Sequence, residues 1–462
     1  MDRLPLELLH FICSSLDLKD VYTFRLLGKM FSEVGAYYSH REIFVYLHQD
    51  DLDHLLDISK KYSLARCVKS LAYMANTLKF PTGSFHKYKD DYKGMVTIET
   101  FIQNEYPESS MRIRPDLTQT QLGAAYSKYK MEVENCAVAL RRRIDFIALR
   151  EAIPRLTQLE KVVMSSGFAP YQLERKKTPF DNLFREPGGN IQPEGCHQLE
   201  AFLEALAFSP AKIRVLRAAS LNWRFFDRDL ETARRLFSPL SNLTRIKLYI
   251  DTWLNETNGI EQPDDITEID KCRAAMDNGV LRTVLQSLDQ LEVIEIQFTW
   301  HSDNLHFCAA LDQVFSPTHK WSRLKALNLE GIEFERSKLT PILELHKDTL
   351  RNLCLRDINL VDTSWIQFLS DVRNTLDLDK CCICGWLYGR REDGTECDEL
   401  WNLSIPEFDS TDGENPLRNA VNDYCCRRGG SDDQCPLLRY LSVTHYSDRE
   451  TDSDDASSSD DT

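Results

Sequence analysis

Apolar residues recur along the chain in two rhythms. At the start they step in threes and fours. Leu8, Ile12 and Leu16 stand at i, i+4 and i+8 with Leu9 beside them, while Glu7, His10 and Ser14 lie on other faces. That stripe predicts an amphipathic helix. Pro5, after Leu4, suits its first turn, because the N–H that proline lacks would be unpaired there. "LDLKD" interrupts the rhythm, and Asp17 is placed to cap a second helix. Val21, Phe24 and Leu27 belong to that helix. Met30, Phe31 and Val34 predict a third, with Gly35 as its end. Three helices in so short a stretch cannot bury all these side chains among themselves.

Further along, the spacing L-x-x-L-x-L takes over. It reads Val68, Leu71, Tyr73; Leu159, Val162, Met164; Ile213, Leu216, Ala218; Leu243, Ile246, Leu248; and Leu291, Ile294, Ile296. The clearest copies are Leu324, Leu327, Leu329 and Leu350, Leu353, Leu355, and Leu376 with Leu378 gives a degenerate one. Ile43, Val45 and Leu47 alternate like one more strand ahead of the series. Only the last steps approach the roughly 20–29-residue period of leucine-rich repeats. Helical stretches lie between the copies: Leu52 to Ile58, Val133 to Ile147 in steps of four and three, "CHQLEAFLEALAF", "VLRTVLQSL" and "WIQFLSDV". The alternation predicts an α/β fold, an irregular leucine-rich-repeat-like solenoid of parallel strands and helices. An open parallel sheet would alternate in the same way, but no G-x-G-x-x-G follows a strand, which disfavours a dinucleotide-binding sheet. Residues 76–131, 165–195 and 251–270 depart from the pattern as insertions. Tyr88, Tyr92 and Trp253 in them suit either protein recognition or packing beneath the loops.

The length, 462 residues, exceeds what one core usually serves, so more than one packing unit is expected. The net charge of -16 disfavours nucleic-acid binding. The tail 447–462 is acidic and serine-rich and is expected to be disordered. With no basic, apolar leader at the start and no long apolar run, neither secretion nor a membrane span is expected. Most of the fourteen cysteines are then expected as free thiols in a reducing, intracellular compartment, cytoplasm or nucleus.

Little in the sequence offers chemistry. Cys381 and Cys384 form a C-x-x-C pair, but partners among Cys425, Cys426, Cys435 and His445 are spaced poorly for zinc. "RRR" at 141–143 reads as a solvated helix face. G-x-S-x-G, a P-loop and H-E-x-x-H are all absent, and no nucleophile has an evident base. The expectation is a chain that is not an enzyme and has neither cofactor nor metal.

The opening stretch "LPLELLHFICSSLDLKDVYTFRLLGKMF" resembles the F-box, with its LP-x-E-L start, spaced Ile, "L-x-L-K-D" and closing aromatic. Many members close with Trp where this chain has Phe31. The succession after it is similar to the segment that follows the F-box in many fungal F-box proteins. The resemblance implies a three-helix F-box over residues 1–40, a substrate-recognition repeat domain over 41–445, and the tail over 446–462. It further implies a Skp-type adaptor as partner, and through it a cullin, with an unknown target protein on the repeats. By position, the implied adaptor contacts are Leu4, Pro5, Leu8, Ile12, Leu16, Val21, Leu27 and Phe31. The rival expectation is an interaction scaffold in which these helices cap the solenoid, with Ile12 and Leu16 facing residues 43–73.

Overall fold

In each L-x-x-L-x-L triad the last two residues are two apart, so on a strand both side chains face the same way. The computed structural model describes residues 4–75, 84–105, 117–165, 195–252, 266–301, 306–390, 398–404, 415–427 and 434–440. Within these, the triads lie on neighbouring strands in matching register. The strands are β1 (Glu42–Tyr46), β2 (Ser70–Met74), β3 (Lys161–Ser165), β4 (Val215–Asn222), β5 (Arg245–Asp251) and β6 (Val293–Phe298). A short hairpin, β7 (Trp300–His301) and β8 (His306–Phe307), precedes β9 (Ala326–Glu330), β10 (Glu333–Phe334), β11 (Asn352–Leu360), β12 (Lys380–Arg390) and β13 (Asp398–Asn402). The main sheet runs β1-β2-β3-β4-β5-β6-β9-β11-β12-β13, with β10 alongside β11. Every pairing from β1 to β12 is parallel, and β13 closes the series antiparallel. The strand order follows the chain without reversal.

Two rows of inward side chains cross the sheet. One runs Ile43, Leu71, Val162, Leu216, Ile246, Ile294, Leu327, Leu353 and Cys381; the other runs Val45, Tyr73, Met164, Ala218, Leu248, Ile296, Leu329, Leu355 and Ile383. The first residues of the triads, from Val68 to Leu350, are buried just before their strands. The last copy needs correction. Cys381, not a leucine, stands opposite Leu353, so its frame is Leu378, Cys381, Ile383. A cysteine in a leucine's place hid the register.

Helices α1 (Leu6–Ser14), α2 (Leu18–Arg25) and α3 (Lys29–Ser39) precede the sheet. The others are α4 (Gln49–Lys60), α5 (Tyr62–Ala65), α6 (Phe85–Glu105), α7 (Gln119–Arg142), α8 (Ile144–Ala152), α9 (Cys196–Leu206), α10 (Leu230–Phe237), α11 (Ile266–Asp277), α12 (Val280–Gln286), α13 (Leu311–Val314), α14 (Arg336–His346), α15 (Trp365–Thr375) and α16 (Pro416–Cys425). Helices α4, α8, α9, α10, α12, α13, α14, α15 and α16 form a row in which each touches the next. Their apolar faces and the inward strand rows share one continuous core. On β5, β6 and β11 the alternate residues remain half-exposed, leaving a second, open face. On β2 and β3 both faces are buried, so the open face begins further along the sheet.

Two local expectations change, and a third resolves to one of its two alternatives. The helix expected through Val133–Ile147 breaks at Arg143, whose φ of 51° ends α7 and starts α8. Arg143 also pairs with Glu204 at 2.5 Å and lies over the Phe146 ring, so it joins helices, whereas Arg141 and Arg142 are exposed. Tyr88 and Tyr92 are both buried, Tyr88 against Tyr126 and Tyr129 of α7, so of the two alternatives they pack and do not present a recognition surface. Trp253 and the 447–462 tail lie outside the described residues.

Candidate functional site

The first three helices have a core of their own. Leu9, Cys13, Val21, Phe24, Phe31 and Val34 form it, separate from the core of the sheet. Phe24 and Phe31 meet edge to face with centroids 5.0 Å apart. The Tyr38 hydroxyl donates to the His10 carbonyl at 2.9 Å and binds α3 to α1. Gly35 does not end α3, which continues to Ser39. A Cβ there would come within 2.3 Å of Arg25 Cγ, so glycine admits the close approach of α2.

This arrangement divides the residues that the F-box resemblance singles out. Leu9 and Cys13, rather than Leu8 and Ile12, face the small core. Leu8 is 48% exposed, Ile12 40% and Leu27 56%. Pro5 is exposed at the start of α1. Leu4 and Leu16 pack half-buried at the margin. Val21 and Phe31 are buried inside, where they hold the helices together and present no surface of their own. Pattern reading missed two neighbours of the outward row: Phe11 is 71% exposed and Leu26 85%. Phe11 lies three residues after Leu8 and one before Ile12, so a second stripe at helical spacing was present in the sequence. Of the fourteen large apolar side chains exposed among the described residues, seven lie on this unit.

The open face of the sheet is different in kind. Its central row runs Arg217, Lys247, Glu295, Asn328, Cys354 and Cys382 from β4 to β12. The next row runs Tyr249, Gln297, Glu330, Arg356 and Cys384. The two rows are knitted by polar contacts. Lys247 pairs with Glu295. Gln297 Nε2 donates to Glu295 Oε1 at 3.3 Å and to Glu330 Oε2 at 3.1 Å. Arg356 Nε stands 3.9 Å from the same Glu330 oxygen. Burial pushes the Glu330 carboxyl up to about 7, with Asp357 and Cys384 adding to the rise and Arg356 and Lys247 opposing it. Burial also raises the Tyr249 phenol, helped by Asp251 and Glu330.

The C-x-x-C pair is split by the strand that carries it. Cys381 and Cys384 are three apart on β12 and therefore point to opposite sides of the sheet. Cys381 meets Cys425 of α16 on the helix side, and Cys384 meets Cys354 and Cys382 on the open face. Among the described residues no group of three or more His, Cys, Asp or Glu is placed to hold a metal ion. A buried polar centre that the sequence did not reveal lies in the other half. Asp145, fully buried in the first turn of α8, accepts from the Tyr73 hydroxyl at 2.8 Å and faces His197 Nε2 at 3.0 Å. It ties β2, α8 and α9 together, and its carboxylate raises the Tyr73 phenol further than burial alone.

Among the described residues no helix is long and apolar enough to cross a membrane. No protein-family model matches the chain, and no curated protein matches it in sequence.

Proposed function

We propose that the chain is an F-box substrate-recognition subunit of a Skp-cullin-type ubiquitin ligase. Its first three helices dock on a Skp-type adaptor, and an irregular leucine-rich-repeat-like solenoid holds a target protein. The observation that carries this reading is the outward row Leu8, Phe11, Ile12 with Leu26 and Leu27, on a helical unit whose own core is already made by other residues. Apolar surface of that extent marks an interaction site. The adaptor would cover it by helix packing, with Val21 and Phe31 supporting the surface from beneath. The unreversed strand order and the single row of helices support the solenoid reading. The chain would act by proximity, fixing its target near a ubiquitin-charged enzyme and raising the effective concentration without bond chemistry of its own.

The cap reading requires Ile12 and Leu16 to face residues 43–73, and Leu16 packs instead against the small helical core. Ile12 is 40% exposed and belongs to neither core, which favours the docking reading. Co-purification with the Skp-type adaptor tests it, with wild type beside a Leu8→Asp/Ile12→Asp double variant and a thermal melt of each. Capture by wild type and loss in a variant that still melts cooperatively supports docking. No capture by wild type, with collapse of the variant, assigns the helices to the protein's own core.

A further inference from the structure

Three thiols converge on the open face at the β11–β12 pair. Cys354 stands directly opposite Cys382 in parallel register, and Cys384 is two residues beyond Cys382 on the same side. The Cys382 and Cys384 sulfurs are 3.7 Å apart, and the Cys354 thiol interacts with both. Cys354 and Cys382 are half-exposed and Cys384 is buried. The site is built next to a bulge, where the register shifts between Arg356 and Ile358. There Asp357 takes a φ of 51° and Gly385 one of 81°, and a Cβ on Gly385 would fall 2.2 Å from the Asp357 carboxylate. Such bulges re-aim side chains beside functional sites. Arg356 stands opposite Cys384 in the register and brings a fixed positive charge beside the thiols.

We propose that Cys354 and Cys382 are a peroxide-reactive dithiol that closes to a cross-strand disulfide. Neighbouring strands lie about 4.8 Å apart, inside the roughly 4.4–6.8 Å Cα separation that a disulfide spans. Cys382 and Cys384, two residues apart on one strand, are near the outer limit of that range, which selects Cys354 as partner. The Cys382 sulfur attacks one oxygen of a hydroperoxide. An S–O bond forms, the O–O bond breaks, and the leaving oxygen departs as water or alcohol once protonated. Cys354 sulfur then attacks the sulfenic sulfur of Cys382. The S–S bond forms, the S–O bond breaks, and hydroxide leaves with the Cys354 proton as water. The two thiols give up two electrons, and the peroxide accepts them.

The surroundings favour this order of events. The neighbouring Cys354 and Cys384 thiols, with the Arg356 charge, hold Cys382 down to about 3 against the opposing effect of burial. The Cys382 and Cys384 thiols, with burial, push Cys354 up. The directions of these shifts make Cys382 the attacking sulfur of the first step and Cys354 the thiol whose proton the second step releases. Two other close thiol pairs serve as internal controls. Cys381 meets Cys425 on the helix side, where that thiol and then burial raise it, and Cys272 and Cys308 are both fully buried, where burial and then the Cys308 thiol raise Cys272.

The test uses the reduced, purified full chain and needs no adaptor. Hydrogen peroxide is added, remaining thiols are capped with a maleimide, and tryptic peptides are read by mass spectrometry. The expected product links Asn352–Arg356 to Cys381–Arg390, and the link is lost in Cys382→Ser and in Cys354→Ser. In Cys354→Ser, Cys382 stops at the sulfenic acid and is captured by dimedone. Iodoacetamide labelling of wild type supplies a readout that requires no variant. At pH 5 an ordinary thiol is almost wholly protonated, while Cys382 remains a thiolate of reduced nucleophilicity, so it should label about tenfold faster than an exposed ordinary thiol. A link that survives Cys382→Ser overturns the proposal. So does oxidation of the two control pairs at the same rate, or Cys382 labelling that falls about a hundredfold from pH 7 to pH 5 as for a free thiol.

Discussion

The helical unit and the sheet domain use apolar residues in opposite ways. In the sheet domain the rows led by Leu71 and Tyr73 are buried as far as Leu353 and Ile383, with Cys381 half-buried at the end, and the open face is polar and internally paired. In the helical unit a six-residue core holds three helices while a second set of large apolar side chains faces outward. The first region is built to fold by itself. The second buries just enough to form and keeps apolar area in reserve, as expected of a surface completed by association. The difference shows that an amphipathic stripe alone does not say which of its residues are core: Leu8 and Leu9 adjoin in sequence and have opposite fates.

Substitutions can break this comparison from either side. The largest loss should follow Trp365→Ala. This indole is fully buried, donates to the Tyr388 carbonyl at 2.8 Å and meets Phe368 edge to face. A cost of about 3–5 kcal/mol is expected in urea unfolding of the sheet domain. Phe31→Ala should cost a similar amount, yet only within the small core: the helices melt and adaptor capture is lost while the sheet transition stays in place. A single shared transition shifted by both variants would mean that the two cores are one cooperative unit.

Glu330→Gln sharpens the account of the open face. The folded carboxyl lies near 7 against an ordinary value of 4.5. The folded state therefore binds more protons between these values, and wild-type stability declines as pH rises through them. The variant should be more stable than wild type by on the order of 2–3 kcal/mol at pH 8 and equal to it near pH 4. An equal gap at both values would remove titration as its cause. The smallest effect is expected from Leu26→Ser or Phe11→Ser, which should shift stability by less than about 0.5 kcal/mol because nothing is uncovered. A cooperative loss there would show that these side chains have a covering partner within the chain.

Much of the sheet was legible because two residues apart on a strand means the same face. The inward rows from Leu71 to Leu355 are the residues that the L-x-x-L-x-L spacing names. The spacing failed where cysteine replaced leucine at Cys381, and there it also hid the thiol cluster: aligning Leu353 and Leu355 with Cys381 and Ile383 puts Cys354 beside Cys382. The antiparallel β13 carries no such spacing. The helix break at Arg143 was not legible, since the left-handed turn is held by Glu204 and Phe146, remote in sequence or on the following helix. Nor was Gly35, which reads as a helix end until Arg25 is seen against it. Asp145 was missed for the same reason, because Tyr73 and His197 meet it only in three dimensions.

Hydroxyl-radical footprinting of Phe11, Leu26 and Leu27, in the full chain alone and with the Skp-type adaptor, tests the central claim most directly. The account predicts strong labelling of these side chains in the chain alone and several-fold protection when the adaptor is added, with Phe24 and Phe31 protected in both. Side chains already protected in the isolated chain, or labelling unchanged by the adaptor, would contradict it.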